Sequence, residues 1–171
     1  LGAEAPFLRP KNISDGDSSV IEVVRHAIDF LYSKGESYEL VTLLYPTAPF
    51  TRASDLVKAV TCIKTYDFAI SVTKFPYPIQ RALSISKDEK TLQMINKSNF
   101  HKRSQDLENS YHDAGQFIVG KNYAWKEKKP FVDGRALPII IPRYIVQDID
   151  DEEDWVEAEL KFKILNEKKN G

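Results

Sequence analysis

Two apolar runs of strand length, Tyr38–Leu44 and Asp67–Thr73, flank a stretch of helical period. This alternation constrains the chain more than any other feature. The runs are too short for buried helices, and their near-continuous apolar character fits strands covered on both faces. Between them, Ser54 or Asp55 starts a helix reaching about Thr65, with Leu56, Val57, Val60 and Ile63 expected inward. Before them, Ser18 or Ser19 caps a helix running to about Ser33. Its apolar stripe is Val20, Val23, Val24, Ala27, Ile28 and Leu31, and Gly35 ends it. A strand–helix–strand rhythm of this kind argues for a parallel sheet with right-handed crossovers.

The rhythm then breaks. Ile79–Ile95 reads as two short strands around the turn Ser86–Lys90, and Asn96–His112 is polar and irregular. It resumes with Gln116–Val119, a short helix near Asn122–Lys126, and the apolar run Leu137–Ile141. A last strand through Ile149 and a helix from Asp151 to about Asn166 follow; the helix's apolar residues Trp155, Val156, Ala158, Leu160, Phe162 and Leu165 fit one face imperfectly. The excursion from Lys74 to Tyr111 is the type of insertion that forms a lid, a dimer arm or a surface decoration.

With 171 residues and no low-complexity linker, a single domain spanning 1–171 is expected. A net charge of −1 offers no electrostatic case for nucleic acid or an acidic membrane. No apolar run approaches membrane-spanning length. The lone cysteine, Cys62, excludes an internal disulfide and fits a reducing cytoplasm; its helical setting predicts a core position. Glycine-rich phosphate loops, paired-cysteine zinc patterns and nucleophile elbows are all missing from the sequence.

The candidate chemistry lies in Tyr144-Ile-Val-Gln-Asp148-Ile-Asp150, followed by Asp151-Glu-Glu-Asp154-Trp155. If this stretch is a strand, Asp148 and Asp150 project to one side of it, and paired carboxylates suit a hard cation such as Mg²⁺. A second reading stands beside it: Asp150 or Asp151 caps the following helix, and its dipole favours the other acids. His112 adjoins Asp113, while His26 and His101 have no metal-ligand spacing. His101, Lys102 and Arg103 concentrate positive charge, with Arg81 nearby in sequence. Arg9 precedes a helix start, where backbone amides attract anions. The residues by themselves describe an α/β domain that binds an anionic ligand with Mg²⁺.

Taken in order, several stretches resemble the CMP-sugar synthetases that activate nonulosonic acids. Leu8-Arg9-Pro10 with Ser14-Asp15 and Ser18-Ser19 is similar to one family segment, and Leu43-Leu44-Tyr45-Pro46-Thr47-Ala48-Pro49-Phe50 to its proline loop. Arg103 stands ten residues before Asp113, near Gly115, and Asp148-Ile149-Asp150 resembles the family's terminal metal pair. Tyr45 and Asp113 replace the glutamine and asparagine usual in the sialic acid enzymes, so the chain looks closest to the pseudaminic acid cytidylyltransferase branch.

The resemblance implies a three-layer, Rossmann-like nucleotide-diphospho-sugar transferase fold. Its sheet would be mixed and mainly parallel, with a small β-rich dimerisation insertion at 74–111. It implies a cytoplasmic homodimer that joins CTP to a nine-carbon sugar acid, pseudaminic acid before N-acetylneuraminic acid, with release of pyrophosphate. Asp148 and Asp150 would hold Mg²⁺, and Arg103 would meet an anionic group. Arg9 and Ser19 would contact the nucleotide. Tyr45, Gln80, Arg81, Asp113, Gln116 and Phe131 would face the sugar. The family opens with a strand and a Gly/Ser/Lys/Arg-rich phosphate loop in an N-terminal βαβ unit, which has no counterpart here. The expectation is therefore a fragment, a truncated reading frame or part of a longer protein, inactive alone, or a non-catalytic binding and assembly remnant of such an enzyme.

Overall fold

The computed structural model describes residues 2–15, 18–88, 90–132 and 134–170. Leu1, Gly16, Asp17 and Glu89, which enter the readings of the N-terminal loop and of the 86–90 turn, lie outside these. The elements are α1 (Val20–Ser33), β1 (Leu40–Leu44), α2 (Ala53–Cys62), β2 (Phe68–Lys74), β3 (Leu83–Ile85), β4 (Leu92–Met94), β5 (Tyr111–Lys121), α3 (Asn122–Lys126), β6 (Ala136–Ile140) and α4 (Glu152–Asn170).

The expected mixed α/β class is found. One four-stranded sheet has the order β1-β5-β2-β6, and β3 pairs with β4 in a separate ribbon. β1 and β5 are antiparallel, from Leu40 opposite Lys121 to Leu44 opposite Phe117. β5 also runs against β2: Lys121 N donates to Asp67 O at one end, and Phe75 N donates to Ser110 O at the other. β6 runs with β2, through Asp67 N to Arg135 O and Ile141 N to Val72 O. Three strands thus share one direction and β5 opposes them. The reversal follows from the excursion at 74–111, which returns the chain at Ser110, beside the end of β2, instead of carrying it across a helix to the start of a new parallel strand. β5 is also longer than the four apolar residues predicted, and it takes in His112 and Asp113.

By contacts the chain forms two compact units, the division falling within β2, β5 and β6. The first comprises residues up to Leu44, Leu56–Ile70 and Phe117–Leu137. α1 begins as expected, Ser19 Oγ accepting from Glu22 N. Its core is built on Trp125 and Phe68, whose rings meet edge to face at 5.2 Å. Trp125 Nε1 donates to Val41 O at 3.2 Å. Gly120 must be glycine, because a Cβ there would run into the rings of Trp125 and Phe68. Asp67, buried at the head of β2, accepts from Arg135 Nε at 2.9 Å and Nη2 at 3.2 Å, from Lys129 at 3.4 Å, and from the Tyr123 hydroxyl. The Arg135 guanidinium, with Tyr123 and Lys129, holds the Asp67 carboxyl well below the usual carboxylate range.

α2 corrects two expectations. Ala59 and Ile63 are buried, with Leu56 beside them, whereas Val57 and Val60 are 62% and 44% exposed. Two apolar stripes run along this helix, and periodicity cannot choose between them. Cys62, expected in the core, lies off the Leu56–Ala59–Ile63 stripe and is exposed.

The second unit comprises Tyr45–Asp55, Ser71–Gln116 and the chain from Pro138 onward. Ile139, Ile141, Ile145 and Ala114 are buried in it, and Thr73 Oγ1 donates to Ile141 O at 2.9 Å. The expected strand through Ile149 is absent. Arg143–Ile145 is a 3₁₀ turn after Pro142, and 146–149 has no ladder. Side chains take the place of a neighbouring strand: Val146 O, Asp148 O and Asp150 N are bonded by Lys161, Gln147 and Asp154. α4 starts one residue later than expected, with Asp151 outside it as the cap, and runs on to Asn170. Ala158 is its buried apolar residue, while Trp155, Val156, Leu160 and Phe162 are each more than half exposed.

Candidate functional site

A cavity of about 490 Å³ opens in the second unit, within the range of small-molecule sites, about 300–1,000 Å³. Tyr45, His112–Gly115, Val146–Asp148, Asp150 and Asp154 line it. The start of β5 supplies one wall and the 146–150 segment another.

Asp148 and Asp150 therefore share a cavity although no strand aligns them. The two readings of the acidic run divide between different residues. Asp151 Oδ1 accepts from Asp154 N at 3.0 Å, and Asp154 Oδ2 accepts from Asp150 N at 3.0 Å and Asp151 N at 3.3 Å, a reciprocal capping box at the start of α4. The carboxylates of Asp148 and Asp150 take no part in it, and among the described residues neither accepts a hydrogen bond or forms an ion pair. Two hard oxygen donors left free beside a cavity fit Mg²⁺, which is commonly held by one or two carboxylates together with water and substrate phosphates. No cluster of three or more metal-binding side chains occurs among the described residues, so an all-protein cage of the calcium kind is not what the geometry fits.

Asp148 packs against Gly115 within β5, where φ is +62°. Asp113 Oδ1 accepts from Gly115 N at 2.9 Å and so fixes the backbone there. Tyr45 is half-buried, and its backbone N donates to Gln116 O at 3.0 Å. Burial, reinforced by the negative charges of Asp113 and Asp148, pushes the Tyr45 phenol above its ordinary pKa. It therefore remains a neutral hydroxyl at the cavity wall, able to donate to an anionic ligand. His112 Nδ1 donates to the Asp113 carbonyl at 2.7 Å, and its ring packs on Phe75 at 4.7 Å.

The structure gathers four of the predicted site residues here: Tyr45, Asp113, Asp148 and Asp150. Others it sets elsewhere. Gln116 is fully buried and turned inward, with Nε2 donating to Ile145 O at 2.8 Å. Gln80 braces the base of the 74–111 excursion, donating to Glu108 O and Ser110 Oγ at 3.1 and 3.2 Å. Arg81 lines a different cavity and donates to Ser104 Oγ at 3.3 Å. Arg103 is exposed and paired with Asp106 at 2.8 Å. Arg9, Ser19 and Phe131 belong to the first unit: Arg9 is exposed, Ser19 caps α1, and Phe131 packs on Phe68 and Trp125 at 5.1 and 5.5 Å.

The chain aligns over 168 residues, at 36% identity, with the pseudaminic acid cytidylyltransferases of two Campylobacter jejuni strains, covering 97% of this chain and 72% of each relative. The chain belongs to the pseudaminic acid cytidylyltransferase family. A Helicobacter pylori protein named pseudaminic acid cytidylyltransferase and UDP-2,4-diacetamido-2,4,6-trideoxy-beta-L-altropyranose hydrolase is 28% identical over 151 residues, 86% of this chain and 28% of that protein. An N-acylneuraminate cytidylyltransferase of Escherichia coli is 28% identical over 152 residues, 87% of this chain and 35% of the relative. No protein-family profile matches the chain. Among solved structures, a 4-diphosphocytidyl-2C-methyl-D-erythritol synthase of Anaerococcus prevotii superposes with a TM-score of 0.44 at 14% identity, covering 78% of this chain and 64% of that one. Membership of the cytidylyltransferase family agrees with the resemblance read from Tyr45, Asp113 and the Asp148–Asp150 pair.

Sequence reasoning named Asp151 as a cap candidate and missed Asp154, Gln147 and Lys161, which also hold the acidic segment. Asp154 stands three residues after Asp151, the spacing of a capping box. Gln147 and Lys161 carried no such signal, because they meet only when α4 folds back along the segment.

Proposed function

We propose that this protein transfers a cytidylyl group from CTP to the anomeric oxygen of pseudaminic acid. The anomeric hydroxyl attacks the α-phosphorus, the bond from that phosphorus to the bridging oxygen breaks, pyrophosphate leaves, and the hydroxyl proton passes to solvent. The observation that carries this reading is the alignment with the Campylobacter jejuni enzymes over 97% of the chain. A cavity bordered by Asp148 and Asp150 supports it.

In this reading Asp148 and Asp150 hold Mg²⁺, which when bound would orient the phosphates and offset their developing charge. The protein's own groups do the rest. Tyr45 presents a neutral hydroxyl to the sugar, Asp113 and Gly115 shape the wall beneath Asp148, and Arg9 and Ser19 contact the nucleotide. Arg103 meets an anionic group of a substrate. The excursion at 74–111 pairs with a second copy of the chain. Its two-stranded ribbon exposes Leu83, Ile85 and Leu92, and such a ribbon is marginal in water unless its apolar side chains are covered. No described helix is long and apolar enough to cross a membrane. The reading assigns the reaction to the cytoplasm, where CTP is made.

Pyrophosphate release by the natural gene product, measured with CTP, Mg²⁺ and either pseudaminic or N-acetylneuraminic acid, tests the reading. Turnover is expected with pseudaminic acid well above that with N-acetylneuraminic acid, with a CMP-sugar of the corresponding mass. The reverse preference overturns the sugar assignment, and no release with either acid overturns the reaction.

A further inference from the structure

Between Asp148 and α4 lies a buried amide whose every hydrogen-bonding group is used. Gln147 is 6% exposed. Its Nε2 donates to Asp148 O and to Asp154 Oδ1, both at 3.0 Å, and its Oε1 accepts from Lys161 Nζ. Lys161 Nζ also donates to Val146 O at 3.0 Å. We propose that Gln147 is a positioning residue of the metal-holding segment: its side-chain amide ties the backbone at Asp148 to α4 and so aims the Asp148 and Asp150 carboxylates into the cavity.

The argument is one of polarity as well as contact. Gln147 stands between a carboxylate and an ammonium. Its amide donates to the first from Nε2 and accepts from the second at Oε1, which neither a carboxylate nor an apolar side chain can do. Glutamate would set like charges together at Asp154, and methionine would leave Asp154 Oδ1 and Lys161 Nζ without this partner. Helix capping does not require Gln147, because Asp151 and Asp154 complete the cap by themselves. What Gln147 adds is a grip on the carbonyl of Asp148. Asp154 adds a second grip on Asp150 N. The segment has no strand ladder, so these side-chain bonds stand where a ladder would hold a metal pair in place. Groups that orient ligands in this manner typically change metal affinity by about 10–100-fold when removed.

The inference rests on the reading of Asp148 and Asp150 as metal ligands, and its test separates the two. Mn²⁺ binding in the presence of CTP is followed by electron paramagnetic resonance in the wild-type gene product, Asp148→Asn, Gln147→Glu, and Gln147→Glu with Asp154→Asn, well below each protein's melting temperature. Gln147→Glu should weaken Mn²⁺ binding about tenfold or more while melting stays cooperative. The double variant should stay weak: the amide nitrogen introduced at position 154 can donate to the carboxylate introduced at 147 and removes the charge clash, but that carboxylate has no proton to donate to Asp148 O. Wild-type affinity in Gln147→Glu, or full recovery in the double variant, overturns the proposal. Should Gln147→Glu fail to fold, Lys161→Met carries the test: weakened Mn²⁺ binding is expected and unchanged binding overturns it. If the wild type binds Mn²⁺ no better than Asp148→Asn, the metal reading falls and this inference with it. Binding lost in Asp148→Asn but kept in Gln147→Glu removes Gln147's role alone.

Discussion

Asp148 lies so close over Gly115 that a Cβ on the glycine would stand 2.8 Å from Asp148 Oδ2. The contact joins β5 to the acidic segment, and a side chain at 115 would have to push the Asp148 carboxylate aside. It also gives the glycine of the family resemblance a physical reason, since the backbone there has φ +62°.

Gly115→Ala should therefore do two kinds of damage. A left-handed backbone costs an L-residue about 1–2 kcal/mol, and the new methyl must displace Asp148. Thermal melting should register the first effect, and a rise in the Mg²⁺ concentration needed for half-maximal turnover the second. A variant that melts lower but keeps its Mg²⁺ dependence would separate Asp148 from the metal.

Asp150→Asn removes a charge that forms no ion pair among the described residues, so folding should be nearly unaffected. Mg²⁺-dependent turnover should be abolished. Full activity in that variant would sink the metal assignment.

Arg103→Ala tests the one predicted catalytic residue that does not border the cavity. Its ion pair with Asp106 is exposed, and such pairs contribute less than about 1 kcal/mol. Stability should hardly change, and a large fall in turnover would then report a contact with an anionic substrate group. Unchanged turnover removes Arg103 from the reaction.

Asp67 makes a prediction about acid stability. The folded protein keeps this carboxyl ionised below its ordinary pKa of 3.8 through Arg135, Tyr123 and Lys129. The unfolded chain takes up the proton first as pH falls. The stabilisation is thus complete above the ordinary value and is lost on descent toward the lower folded one. Urea unfolding of Asp67→Asn should show a loss of about 2 kcal/mol near neutrality, narrowing as the pH drops below about 4.

Much of the architecture was legible because it depends on neighbours in the chain. Ser19 caps α1 through a bond to Glu22, three residues on, and Gly35 follows its end. The strand-length runs became β1 and β2, although only β2 is covered on both faces, β1 ending the sheet order with Leu44 52% exposed, and Asp151-x-x-Asp154 became a cap. The resemblance rested on short ordered stretches of this local kind.

Distant contacts decided the rest. The direction of β5 depended on where the excursion returns the chain, which no periodicity encodes. Val57, Val60 and Cys62 turned outward because α2 offers two apolar stripes and only its packing selects one. The 146–149 segment has the composition of a strand, yet Lys161, Gln147 and Asp154 bind the backbone groups a ladder would use. Sequence by itself determined that Asp148 and Asp150 lie two residues apart in an acidic run beside a helix start. Tertiary structure decided that Asp148 and Asp150 border the cavity and that Gln147 and Lys161 hold the segment carrying them, because these partners meet only when α4 packs back along it.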